Sequence, residues 1–174
     1  MAARAGPRAE GTDGSDFKHR EKVASHYQES VTIKGKLRKS LVPHMFLTIL
    51  AFGRLASVAL GSTYFKPAEF WELLWIVSGL AAYIGYNSLS KNHVVQILTY
   101  IFGNLLFGLA SLAYGSWKII DRALQIYKQG SSFTEWKDAP MKIALIAVCL
   151  QVQISGLYNA VRLYKAWTGK GKKE

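Results

Sequence analysis

The chain has 174 residues, a single-domain length, and half of them are hydrophobic. Its one cysteine, Cys149, excludes an intramolecular disulfide and a cysteine-based zinc site. The formal charge of +11 would suit a nucleic-acid binder, but its placement argues against that partner. Arg4, Arg8, Lys18, Arg20, Lys22, Lys34, Lys36, Arg38 and Lys39 precede the first apolar block, and Arg162, Lys165, Lys170, Lys172 and Lys173 end or follow the last. Basic residues flanking apolar blocks follow the positive-inside rule and attract anionic headgroups, so membrane lipid is the partner implied and nucleic acid is not.

Residues 1–40 read as a basic arm, with disorder expected to about Asp16 because little apolar surface is available to offset chain entropy. They lack an apolar signal-peptide core, so the first span is expected to act as an uncleaved insertion signal. From about Phe17 to Lys39 a weakly amphipathic basic helix is expected, with Val23, Tyr27 and Val31 at i, i+4 and i+8. It reads equally as a helix lying on the membrane surface or as a solvated tail.

Four apolar stretches follow, at about 41–62, 70–87, 94–115 and 141–164. Each is near the ~20 residues that cross ~30 Å of hydrocarbon. In the first, Pro43 is expected in the opening turn, where a missing N–H costs little. The second carries Trp71 and Trp75 at one end and Tyr83 and Tyr86 at the other, as interfacial aromatic belts would. Soluble bundles show a polar residue every third or fourth position; the third stretch shows no such wet face. The expected fold is therefore all-α, a four-span transmembrane helical bundle with a flexible basic N-terminal arm and a tail at 165–174. Between the third and fourth stretches, Trp117, Ile120, Leu124 and Tyr127 mark an amphipathic helix that either extends the third span or lies flat on the surface. An even span count puts both termini on one side, and both ends are basic, so both termini are expected in the cytosol. Lys118, Arg122, Lys128 and Lys137 in the loop before the fourth span run against that assignment.

Arg54 is the one full charge well inside a stretch, roughly 12 Å from its end at 1.5 Å per residue. Such a charge costs at least ~2.5 kcal/mol and asks for a reason. The available partner is Glu72, with Glu69 one turn away, so an intramembrane ion pair of Arg54 and Glu72 is expected to pin helices, the alternative being contact with a substrate or partner. Small residues at four-residue spacing, namely Gly53/Ser57/Gly61, Ala81/Gly85, Ser111/Gly115 and Gly156/Ala160, allow close helix approach. Gln151, Gln153 and Asn159 would line a polar seam. His19, His26, His44 and His93 show no metal-ligand spacing, and there is no GxSxG, HExxH or phosphate loop. No catalytic, cofactor-binding or metal-binding residue is assigned and no enzymatic activity is expected.

The chain ends Lys170-Gly-Lys172-Lys173-Glu174, with lysines three and five positions from the terminal carboxylate. This is the K-x-K-x-x form of the dilysine retrieval signal, an address read by the coatomer coat; a generic basic tail would look similar.

The N-terminal segment resembles the Jagunal family. The resemblance rests on Arg4-Ala-Gly-Pro-Arg8, Gly11-Thr-Asp-Gly-Ser-Asp16, His19-Arg20-Glu21-Lys22-Val23-Ala24, His26-Tyr27 and Val31-Thr32, and continues more weakly through Tyr114-Gly-Ser116, Gln125-Ile-Tyr-Lys128 and Gln151-Val152. It implies a four-span endoplasmic reticulum protein with roles in reticulum organisation and vesicle-mediated transport in the early secretory pathway. It further implies coatomer binding through the tail and support for delivery of secretory cargo glycoproteins. A small transporter or lipid-handling protein built on Arg54, Glu72 and the glutamine seam, or a passive membrane-shaping scaffold, are the competing readings of the residues themselves.

Overall fold

In the computed structural model, the described residues are 15–63, 67–129 and 139–168, with side chains described for 27–63, 67–128 and 140–168. They form α1 (Ser15–Ala59), α2 (Phe70–Lys91), α3 (Val94–Gly103), a π-helical turn (Asn104–Leu109), α4 (Ala110–Gln129) and α5 (Ala139–Thr168). No strand occurs among the described residues. α3, the π turn and α4 follow one another without a break, so the described residues make four rods. Each is long and apolar enough to cross a membrane, over Tyr27–Ala59, Phe70–Lys91, Val94–Lys128 and Pro140–Thr168.

The rods stop where the sequence supplies a left-handed residue. α1 ends in a Schellman motif: Ser62 N–H donates to the Ser57 carbonyl, Gly61 N–H donates to that of Val58, and Gly61 has φ of +89°. Asn92, at φ of 54°, closes α2 in the same way, with His93 N–H donating to the Ser88 carbonyl. Two residues then turn the chain into α3.

Two features of α1 differ from the sequence reading. Residues 17–39 do not form a separate surface helix or a free tail. They are the first half of a 45-residue helix, and Ile33, Leu37 and Leu41 on it are buried. The stripe Ile33, Leu37, Leu41, His44 runs at helical spacing straight through the assumed boundary near residue 40, so the packing face never breaks. Pro43 therefore lies deep inside the helix rather than in its first turn. Likewise, 117–129 extends the third rod in line. The disorder expected for the N-terminal arm falls largely on residues 1–14, outside the described residues.

The core has two parts. At the end that holds both described chain ends, Ile33, Leu37 and Leu41 pack with Ala81, Ala82, Ile97, Tyr100, Ile101, Ala160 and Leu163. At the other end Trp71 and Trp75 pack with Leu112, Ile146 and Cys149. Glycines let the rods meet: a Cβ on Gly85 would fall 2.8 Å from the Tyr100 ring, and one on Gly115 would fall 2.6 Å from that of Trp71. In a bilayer no water-driven force joins helices, and backbone approach of this kind supplies the dispersion contact instead. The small face of α1 differs. Gly53 is exposed, a Cβ there would meet nothing within 4 Å, and the Ser57 hydroxyl bonds its own helix at the Gly53 carbonyl.

Candidate functional site

Polar side chains inside the bundle fall into two layers. The first lies at the start of α2. Arg54 Nη1 of α1 is 2.6 Å from Glu72 Oε2, with the two side chains 32% and 13% exposed. The same carboxylate oxygen accepts the backbone N–H of Glu69 at 3.3 Å, so one side chain caps α2 and neutralises a cation. Glu69 is a second hub. Its Oε1 accepts from Lys142 Nζ of α5 at 2.8 Å and lies 3.9 Å from Arg122 Nη1 of α4, while its Oε2 accepts from Trp71 Nε1 at 3.2 Å. The Lys142 hydrogen bond, chiefly, holds the Glu69 carboxyl below the usual carboxylate range. Burial opposes this, and Trp71 and Arg122 reinforce it.

Two carboxylates thus tie all four rods at this end. A cavity of about 50 Å³ lies against the pair, lined by Arg54, Glu72, Trp71, Trp75, Ile146 and Cys149, room for about one water. Sequence reading reached Arg54, Glu72 and Glu69 but missed Lys142 and Arg122. The available signal was the unexplained cluster of cations before the fourth span, of which Arg122 faces Glu69.

The second layer crosses the middle of the bundle. His44 Nε2 of α1 is 2.9 Å from Ser78 Oγ of α2, and Ser78 Oγ donates to the Trp75 carbonyl at 2.6 Å. A serine hydroxyl has one proton, so with it committed to Trp75, His44 carries its hydrogen on Nε2 and donates. Gln153 Nε2 of α5 reaches Ser78 Oγ at 3.5 Å, and Asn104 Nδ2 of the π turn donates to the Gln153 carbonyl at 3.2 Å. His44, Ser78, Asn104 and Gln153 are each at most 1% exposed. The π turn, where Ala110 N–H reaches back to the Leu105 carbonyl, adds a residue to the turn and keeps Asn104 and Gly108 on the bundle side. A Cβ on Gly108 would fall against the Asn104 and Gln153 amide oxygens, so those side-chain ends would have to shift to admit one.

The expected glutamine seam is thereby half corrected. Gln153 is buried in it, but Gln151 faces outward, because residues two apart on a helix point about 200° apart. Asn159 is buried yet bonds its own helix at the Ser155 carbonyl. Ser155 itself pairs with Ser40 across the α1–α5 contact at 3.0 Å.

These layers join helices. The Ser78 proton is spent on a backbone carbonyl, and His44 Nδ1 meets no partner among the described residues, so no carboxylate orients the ring for general-base chemistry. No group of three or more histidine, cysteine, aspartate or glutamate side chains capable of holding a metal occurs among the described residues. Lys170 and Lys172 lie outside the described residues. α5 is described to Thr168, and its last turns lie beside the first half of α1, with Trp167 Nε1 donating to Ser30 Oγ at 3.1 Å and Arg162 Nη2 3.6 Å from Glu29 Oε1.

Residues 1–171 match the family model described as "Jagunal, ER re-organisation during oogenesis". The chain is 32% identical over 173 residues to protein jagunal homolog 1 of Homo sapiens, covering 96% of this chain and 94% of that protein. It is 31% identical to protein jagunal homolog 1-B of Danio rerio over 174 residues. It is 27% identical to protein jagunal of Drosophila melanogaster over 190 residues, covering 98% of this chain and 96% of that one.

Proposed function

As the chain belongs to the Jagunal family, we propose that it is a non-enzymatic, four-span endoplasmic reticulum membrane protein that organises the reticulum and serves vesicle-mediated transport in the early secretory pathway. Both termini face the cytosol. The Lys170/Lys172 tail engages coatomer subunits, and the protein supports delivery of secretory cargo glycoproteins. The Arg54–Glu72 pair pins α1 to α2 within the membrane.

The observation that carries this reading is the family match running over nearly the whole chain, on a bundle in which the end of α5 lies beside the first half of α1. The Trp167–Ser30 and Arg162–Glu29 contacts bring the C-terminal end of α5 beside the first half of α1. A tail leaving Thr168 therefore emerges on the N-terminal side of the bundle, and an address there is readable by a cytosolic coat if that side is cytosolic. The excess of Lys and Arg at this side supports that orientation.

The test replaces Lys170 and Lys172 with serine in the full chain. The variant is expected to escape to later secretory compartments and to lose coatomer in pull-downs. Unchanged location and unchanged coat capture would refute the tail's role. Protection of a tag after Glu174 from protease in sealed microsomes would refute the orientation.

A further inference from the structure

A line of two depressions between α1 and α2, on the outside of the bundle, is used by neither layer described above. Lys34 and Arg38, which line the first, and Met45, Ile49 and Phe52, which line the second, fall on a single face of α1, with the exposed Val42 between the two sets. The first is a pocket of about 300 Å³ lined by Lys34, Gly35, Arg38, Tyr86, Leu89 and Ser90. The second is an apolar groove of about 430 Å³ between Met45, Ile49 and Phe52 on one side and Val77, Leu80 and Tyr83 on the other. From Arg38 to Met45 and Phe52 the helix rises roughly 10 and 21 Å, a distance that brackets the ~15 Å depth of one leaflet's hydrocarbon.

The two cations are held in place without being neutralised. Arg38 stacks 5.5 Å from the Tyr86 ring centroid and Lys34 Nζ sits 5.7 Å from that of Trp167. No carboxylate pairs with either among the described residues, whereas Arg54, Lys142 and Arg162 each meet one. An aromatic face positions a cation but leaves its N–H groups free to donate to an anion. Gly35 sharpens the point. Mid-helix glycine costs about 1 kcal/mol relative to alanine, yet a Cβ there would meet nothing within 4 Å, so packing does not explain it. It lines the pocket beside Lys34 and Arg38.

We propose that these two depressions together bind an anionic glycerophospholipid, its headgroup phosphate on Lys34 and Arg38 and an acyl chain in the groove walled by Ile49, Phe52, Val77 and Leu80. Basic pockets between helices at a membrane face hold acidic headgroups by this chemistry. The groove beneath decides between a whole lipid and a soluble phosphate, because only the lipid fills both parts. The site rests on the bundle lying in a bilayer and not on any coat contact, so the two readings fail separately.

The test uses the full chain in neutral detergent, titrated with dioleoyl phosphatidylserine, with dioleoyl phosphatidylcholine and with inorganic phosphate, and read by native mass spectrometry. Phosphatidylserine is expected to be retained about tenfold more strongly than phosphatidylcholine, and phosphate not at all. K34Q/R38Q is expected to lose roughly tenfold or more in retention, while K36Q/K39Q, which removes equal charge from other faces of α1, loses much less. Gly35→Leu fills the pocket while favouring the helix, so it is expected to unfold no more readily than the parent and still lose the lipid. K170S/K172S is expected to retain lipid normally. Equal retention of the two lipids, equal loss in K34Q/R38Q and K36Q/K39Q, or undiminished binding by Gly35→Leu would each overturn the proposal. Phosphate bound as tightly as phosphatidylserine would overturn the acyl-chain half and leave an anion pocket alone.

Discussion

The two ends of the bundle are each packed on an apolar core but handle their charges differently. At the start of α2, cations on three helices are consumed by two carboxylates, with Arg54 on Glu72 and Lys142 and Arg122 on Glu69. At the end that holds Ser30 and Trp167, the helices are joined by an apolar zipper of Ile33, Leu37, Leu41, Tyr100 and Leu163. Its cations ride on aromatic rings, with Arg162 also reaching Glu29 at 3.6 Å. One end adds ion pairs across four rods to its Trp71–Leu112–Ile146 core. The other relies on packing and keeps Lys34 and Arg38 available for anions.

The largest break in that contrast is expected from the apolar end. Tyr100 is fully buried, its ring lies against Gly85, and its hydroxyl lies against Gly156. Tyr100→Ala is expected to destabilise the bundle by roughly 2–4 kcal/mol, measured as unfolding in a denaturing detergent titration. The lower part of the range for aromatic deletion applies because lipid, unlike water, removes most of the transfer term and leaves the cavity term. A loss below about 0.5 kcal/mol would mean that the zipper does not hold that end.

Next in size is Glu72→Leu, which removes the carboxylate 2.6 Å from Arg54 Nη1 and uncaps α2. Breaking a fully buried pair costs 3–5 kcal/mol, and with Arg54 a third exposed roughly 1–3 kcal/mol is expected. The double variant Arg54→Leu/Glu72→Leu sharpens the comparison. With both charges gone no ion pair is broken one-sidedly, so it is expected to recover the electrostatic part of that loss in the same titration, the lost cap on α2 remaining. A double variant no better than the single would show that the pair acts through something other than mutual neutralisation.

The four rods were legible because periodicity and length are read along one chain, and runs such as Val94–Gly115 have no wet face. The Arg54–Glu72 contact was legible because a charge inside an apolar block has few candidates for a partner. What escaped the sequence depends on rotation about a helix axis or on approach between rods. Gln151 and Gln153 look equivalent in the chain, and only the packing of α5 turns Gln153 inward. His44 reads as a blemish until Ser78 of another helix comes within 2.9 Å. The π turn at Asn104 has no signature among NLLFGL beyond a glycine. That one helix and its packing face run on through residue 40 was not legible, because charges on one face of α1 hid the apolar stripe on another.

The smallest effect separates pairing from packing most cleanly. Lys142→Met keeps most of the aliphatic stem but removes the strongest contact to Glu69, and is expected to cost only about 0.2–1 kcal/mol at neutral pH. Its signature lies in the pH dependence. The Glu69 carboxyl is held below the ordinary carboxylate range in the folded protein, so its contribution is fully present above the unfolded value of about 4.3. It is lost as pH falls below that value and through the depressed folded one. In Lys142→Met the folded value moves back up toward the ordinary one, so less stability remains to be lost on acidification. The parent is therefore expected to lose more stability than the variant between pH 7 and pH 3, in unfolding titrations run side by side. Groups that titrate identically in both proteins cancel in that difference. Parallel pH curves would mean that Lys142 and Glu69 are neighbours without being coupled, leaving that end to Arg54–Glu72 and Arg122–Glu69.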